Sequence, residues 1–91
     1  MKKLRVLTVC GMGLGTSLML LMNIEEIGKK HGVKIEGEAV DIGSYKGISC
    51  DIIVAASEIA KQLDGRGTPV VLIDNIIDKS NIEEKLMPYL L

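Results

Sequence analysis

The sequence predicts an α/β fold: one domain over residues 1–91, built on a four-stranded parallel sheet of order 2-1-3-4 with flanking helices. Three observations predict it. The 91 residues suit a single compact core. Apolar residues make up 47% of the chain with no Phe or Trp, so the core must come from Ile, Leu, Val, Ala and Met, which suits a buried parallel sheet covered by helices. Short β-branched runs also alternate with stretches of helical periodicity, the pattern of repeated strand-helix units with right-handed crossovers.

Leu4 to Val9 is a short apolar run ended by glycine and reads as the first strand. Leu18 to Lys30 reads as a long helix stopped by Gly32, with Lys29, Lys30 and His31 complementing the negative end of its dipole. Val33 to Ile42 alternates as a second strand, which Gly43 to Gly47 breaks. Asp51 to Ala55 is a buried-type third strand. Ser57 then caps a short helix whose Ile59 and Leu63, four apart, share a face, and Gly65 ends it. Pro69 leads into a fourth strand, Val70 to Ile73. Ser80 and Glu83 form a capping-box pattern ahead of a stripe of Ile82, Leu86 and Leu90, with Pro88 expected to kink or shorten that last helix. In a flavodoxin-like sheet of this order, ligands sit beyond the carboxyl ends of the strands where strand order reverses, between strands 1 and 3.

The loop that leaves strand 1 at that point is Cys10-Gly11-Met12-Gly13-Leu14-Gly15-Thr16-Ser17. Three alternating glycines let the backbone curl with its N–H groups inward and leave no Cβ in the way of a ligand. Those amides and the free N–H groups of the following helix form a nest for a tetrahedral oxyanion. The same field favours a thiolate at Cys10, because thiols at helix N-termini can titrate as low as roughly 3.5 to 7.5. Thr16 and Ser17 offer hydroxyls to the helix start or to a phosphate oxygen. Two other phosphate motifs fail on spacing: a Walker loop needs Lys where Thr16 stands, and a dinucleotide fingerprint needs Gly at that same position.

This loop, with Met22-Asn23-Ile24-Glu25 and the later Asp51-Ile-Ile-Val-Ala-Ala-Ser, resembles the enzyme IIB component of the bacterial sugar phosphotransferase system, closest to its ascorbate-type branch. The likeness spans nearly the whole chain. It implies a fold akin to the low-molecular-weight tyrosine phosphatases. It also implies that Cys10 accepts phosphate from a phosphohistidine on a IIA protein and passes it to the sugar bound in the membrane component IIC. Both partners are expected as separate chains, and no cofactor or metal is expected.

A tyrosine phosphatase loop places Arg six positions after its Cys, where it clamps the transferring group in bidentate fashion; here Thr16 holds that place. Arg5 lies within strand 1, and Arg66 lies between the second helix and strand 4, at the opposite edge of a parallel sheet. The loop therefore suits exchange from an activated donor better than hydrolysis of an unactivated ester. Hydrolysis, the alternative enzymatic reading, would also need a general acid, for which Asp41, Glu58 and Asp74 follow strands 2, 3 and 4. The lone histidine, His31, lies some 15 residues past Thr16, roughly 22 Å along a helix, which removes a Cys-His hydrolase. Cys50 precedes strand 3 while Cys10 follows strand 1, so the two sulfurs are expected roughly 16 Å apart and unpaired, with Cys50 a small hydrophobe. A phospho-ligand binding module with an unmodified Cys10 is the non-enzymatic alternative.

Leu18 to Met22 are five consecutive apolar positions, more than one helix face can bury. Met12, Leu14, Met19 and Met22 are expected to form an adaptable docking patch beside Cys10, rimmed by Tyr45 and Lys46. Eleven basic against twelve acidic residues give a net charge of -1, which supplies no footprint for nucleic acid or an anionic membrane. No apolar run approaches the length of a membrane span and the start lacks a signal-peptide pattern, so a cytoplasmic protein, monomeric when isolated, is expected.

Overall fold

The computed structural model describes residues 2–10, 15–63, 68–75 and 77–90. In chain order these form β1 (Lys2–Cys10), α1 (Gly15–Lys30), β2 (Val33–Asp41), β3 (Ile52–Ala56), α2 (Ser57–Ala60), β4 (Val70–Ile73) and α3 (Lys79–Leu90). The four strands make one sheet of order β2-β1-β3-β4, all parallel. This is the predicted topology. Strand β1 is central, paired along its whole length with β2 and over Val6 to Val9 with β3.

Alternation along the strands sorts two apolar layers. Leu4, Val6, Ile52, Val54, Val71 and Ile73 face α1 and α3, which contribute Leu20, Ile24, Ile27, Ile82, Leu86 and Leu90. Leu7, Val9, Val40, Ile53 and Ala55 form the other layer, where α2 supplies Ala60. That helix is a single turn, and the link from β2 to β3 crosses β1 without a helix of its own. Loop residues must therefore cover the sheet there: Tyr45 is buried, with Ile42, Ile48 and Cys50 packed beside it.

Several boundaries move for local physical reasons. Helix α1 starts at Gly15 rather than Leu18 and is closed by Gly32, whose positive φ of 73° suits a residue without Cβ. Asp51 lies before β3; its amide donates to the Arg5 carbonyl at 2.8 Å and its carboxylate accepts from the Arg5 amide at 2.8 Å, bracing β1. The cap of α3 is Asp78, not Ser80. Its Oδ1 accepts from the amides of Ser80 at 3.0 Å and Asn81 at 3.3 Å, so a carboxylate meets the positive end of the helix. Pro88 does not shorten the helix, which runs on to Leu90. It stands on the exposed side, where the carbonyl it leaves unbonded can be hydrated.

Glu83, freed from the capping box, joins α3 to the end of α1. Its carboxylate meets the His31 ring at 2.5 Å and Lys30 Nζ at 3.2 Å, while Lys79 reaches Glu26 one turn earlier. Hydrogen bonds from His31, then from Lys30, hold the Glu83 carboxyl below its ordinary range. A depressed carboxylate contributes stability above its unfolded value, near 4.3, and loses it as pH falls through the lower folded value. Glu83→Gln should therefore melt below wild type near neutral pH, with the gap closing toward about pH 3. Thermal melts at both pH values check this, and a gap that persists in acid would contradict it.

Candidate functional site

The candidate site is the junction where central strand β1 hands the chain to α1. Cys10 is the last residue of β1, in register with Asp41 of β2, and Val9 before it is in register with Ala55 of β3. The end of β1 is thus fixed from both sides. It lies at the carboxyl ends of the strands, where the order reverses between β1 and β3. Helix α1 begins five residues later at Gly15, and its first-turn amides have no carbonyl partner within the helix. No acidic side chain occupies that first turn, so the positive helix end is not neutralised by the helix itself.

Two buried hydroxyls stand at this junction. Thr8, fully buried in β1, donates from Oγ1 to the Ser17 carbonyl at 3.1 Å. Ser17 is 1% exposed, and its own Oγ has no hydrogen-bond partner among the described residues. A buried hydroxyl without a partner costs about 1 to 3 kcal/mol. Ser17 stands in the first turn of α1, beside amides that have no carbonyl partner within the helix.

Of the remaining predicted loop residues, Gly11, Met12, Gly13 and Leu14 lie outside the described residues, as do the side chains of Cys10 and Thr16. Gly15 opens α1. Among the carboxylates weighed as acids, Asp41 already accepts from the Gly43 amide at 3.0 Å in a tight turn, and Asp74 is exposed after β4; the Glu58 side chain lies outside the described residues. Arg66 does too. Arg5 sits five residues before Cys10 on β1, its backbone engaged with Asp51. Cys50 is half-buried, and its thiol is pushed up, first by burial and then by the Asp51 carboxylate against a smaller pull from Arg5. It stays protonated at neutral pH and is a poor nucleophile.

Beside the junction, the apolar run divides as its length requires. Leu20 and Leu21 are buried, while Leu18, Met19 and Met22 are 50%, 49% and 62% exposed. Spacings of three and four residues put those three on one face of α1. Leu18 was not singled out in the sequence, although the same run contained the signal. Lys46 is exposed, but Tyr45 is corrected: at 4% exposure it packs against the sheet and does not rim a docking surface. Thr8 is the positioning candidate that sequence reasoning missed, its only signal being a hydroxyl between the apolar residues Leu7 and Val9 of β1.

Two concavities among the described residues lie elsewhere. One of about 490 Å³ runs between α1 and the edge of β2, lined by Met22, Glu25, Lys29, Lys34 and Ile35. The other, about 410 Å³, lies over the middle of β1 and β2 beside Arg5, Glu36 and Cys50. Neither includes the end of β1, and a phosphoryl group held by backbone amides needs no deep cavity. No helix among the described residues is long and apolar enough to cross a membrane.

Comparison with known proteins converges on one group. The family model described as the lactose/cellobiose-specific IIB subunit of the PTS system matches residues 5–87. The ascorbate-specific PTS system EIIB component of Mycoplasma pneumoniae is 30% identical over 88 residues, covering 93% of each chain. The proteins of that same description from Salmonella typhimurium and Escherichia coli O157:H7 are 27% identical over 86 residues, covering 91% of this chain and 85% of theirs. No solved structure gives a significant match.

Proposed function

This chain belongs to the lactose/cellobiose-specific IIB family of the PTS system, and we propose that it serves there as a sugar phosphocarrier bearing its phosphoryl group on the sulfur of Cys10. The observation that carries this reading is the buried Ser17 hydroxyl in the first turn of α1, without a partner among the described residues and one helix start away from the cysteine that ends β1. Ser17 Oγ and the first-turn amides are donors suited to the peripheral oxygens of a phosphoryl group, whose charge they offset during transfer.

The donor is a phosphohistidine on a IIA protein. The Cys10 thiolate attacks phosphorus, an S–P bond forms as the N–P bond breaks, and the histidine nitrogen takes up the proton that the thiol gave up. In the second step a hydroxyl of the sugar held by the membrane component IIC attacks the same phosphorus. The O–P ester forms, the thiolate leaves, and the hydroxyl proton returns to the sulfur. The enzyme is in this sense a phosphotransferase acting in the cytoplasm, and it needs no cofactor of its own. An ascorbate-type carbohydrate is the first substrate class to test, because the relatives carry that description.

Hydrolysis is less well supported. Thr16 holds the place of an arginine clamp, and Arg5 is placed along β1 rather than at its end. Leu18, Met19 and Met22 are the docking face for IIA and IIC, with Met12 and Leu14 from the loop; flexible methionines suit a surface that must meet two partners in turn.

The test supplies phosphoenolpyruvate, the general phosphotransfer proteins and a IIA protein, and reads the intact mass. One added phosphate is expected, and amide shifts on adding IIA should centre on Leu18, Met19 and Met22. No adduct from any donor would favour a binding module with an unmodified Cys10. Shifts confined to the opposite edge of the sheet would sink the docking face.

A further inference from the structure

We propose that Thr8 is a positioning residue for phosphoryl transfer, its hydroxyl holding the first turn of α1 against the end of β1 so that Ser17 and the helix amides stay at the height of Cys10. This inference rests on the phosphocarrier reading and adds to it a residue outside the loop. The loop has two ends, Cys10 on β1 and Gly15 on α1. Thr8 ties one to the other at 3.1 Å, from two residues before Cys10 to two residues after Gly15.

The β1 residues buried in the layer against α1 and α3, Leu4 and Val6, are apolar. Valine has the shape of threonine and would fill the same space without a hydroxyl to desolvate, so packing alone does not call for Thr here. Nor does the Ser17 carbonyl need the bond, because the helix ladder already offers it the amide four residues on. What the bond does is fix the helix start to the strand. Thr8 bonds to the backbone of Ser17 and not to its side chain, so it leaves Ser17 Oγ without a partner among the described residues. The strand end is itself rigid: Thr8 is in register with Ala39 on one side and Val54 on the other. A hydroxyl anchored to so fixed a strand sets the position of what it holds.

The experiment compares Thr8→Val and Thr8→Ser in a Cys50→Ala background, so that Cys10 is the one thiol present. Phosphorylation of Cys10 is followed by intact mass as above, and alkylation of Cys10 by iodoacetamide is followed between about pH 5 and pH 9. Thr8→Val is expected to slow phosphorylation between about 10-fold and 100-fold and to displace the alkylation profile toward higher pH, while melting close to wild type. Thr8→Ser, which keeps the hydroxyl, should restore both. A merely structural Thr8 would change the melt and leave the alkylation profile in place.

Wild-type behaviour of Thr8→Val in both assays would overturn the proposal, as would Thr8→Ser behaving like Thr8→Val. If wild type accepts no phosphate, the phosphocarrier reading fails by itself, and the alkylation profiles still decide whether Thr8 sets the environment of Cys10. Should Thr8→Val not fold, Thr8→Ala, which also removes the hydroxyl and adds no thiol, replaces it with the same expected direction.

Discussion

Cys10→Ser is expected to gain no phosphate from the full donor chain under conditions that phosphorylate wild type to completion. The rate loss should be on the order of 10³-fold or more. No imidazole stands at this place to activate a serine hydroxyl: the lone histidine, His31, lies beyond the far end of α1 and is engaged with Glu83. A thiol depends less on such a base, because thiols are more acidic and more nucleophilic than hydroxyls. The substitution removes nucleophilicity and leaves the amide donors of α1 as they are. Inorganic phosphate should therefore still protect the variant's first-turn amides from hydrogen exchange. Intact mass reads the first result and exchange the second. A phosphorylated Cys10→Ser would move the acceptor elsewhere in the chain.

Cys50 supplies the internal contrast. Its thiol is raised by burial and by Asp51, so Cys50→Ala should phosphorylate like wild type. Two cysteines in one sequence thus differ in environment: one ends the central strand ahead of a helix start, and the other is wedged under a loop beside a carboxylate.

The strands were legible because β1, β3 and β4 each carry a short run of apolar residues, and β2 alternates apolar and polar residues between Gly32 and Gly43. The strand-loop-helix passage at Cys10 then points to the candidate site. Less legible were features set by contacts between distant segments. Tyr45 reads as a loop residue near glycines, yet the helix-free link over β1 needs an apolar cover, and Tyr45 provides it. Glu83 satisfies a capping-box spacing with Ser80, but Asp78 stands closer to the start of α3, which leaves Glu83 for Lys30 and His31. Thr8 shows locally no more than a hydroxyl between two apolar strand residues. Its role depends on a carbonyl nine residues away that only the β1 to α1 crossover brings within 3.1 Å.

Two glycines that local propensity marks as weak points set how closely α1 lies on β2, and here substitutions by better formers of helix and strand should destabilise. Alanine at an open helical position gains roughly 1 kcal/mol over glycine. At Gly28, however, a Cβ would stand 2.4 Å from Ile35 Cγ1 and 2.9 Å from the Val33 carbonyl oxygen. The side chain can yield, but the carbonyl belongs to the start of β2. Gly28→Ala should cost about 1 to 3 kcal/mol net. At Gly37 a Cβ would meet Leu21 Cδ1 at 2.2 Å, inside the layer between α1 and β2, and Gly37→Val should cost about 3 kcal/mol despite its better strand propensity.

In a domain of this size each kcal/mol lowers the melting temperature by about 4 to 8 °C. If close approach is the cause, Leu21→Ala should partly relieve Gly37→Ala, so that denaturant titration finds the double variant more stable than the sum of the singles predicts. Additive losses would show instead that the two residues do not share the space. The same strain lifts α1 from the sheet, and the first turn of α1 carries the Ser17 hydroxyl. Phosphorylation of Cys10 should therefore slow in Gly37→Ala even at temperatures where the variant is fully folded, which links the packing of the helix body to the chemistry at its start.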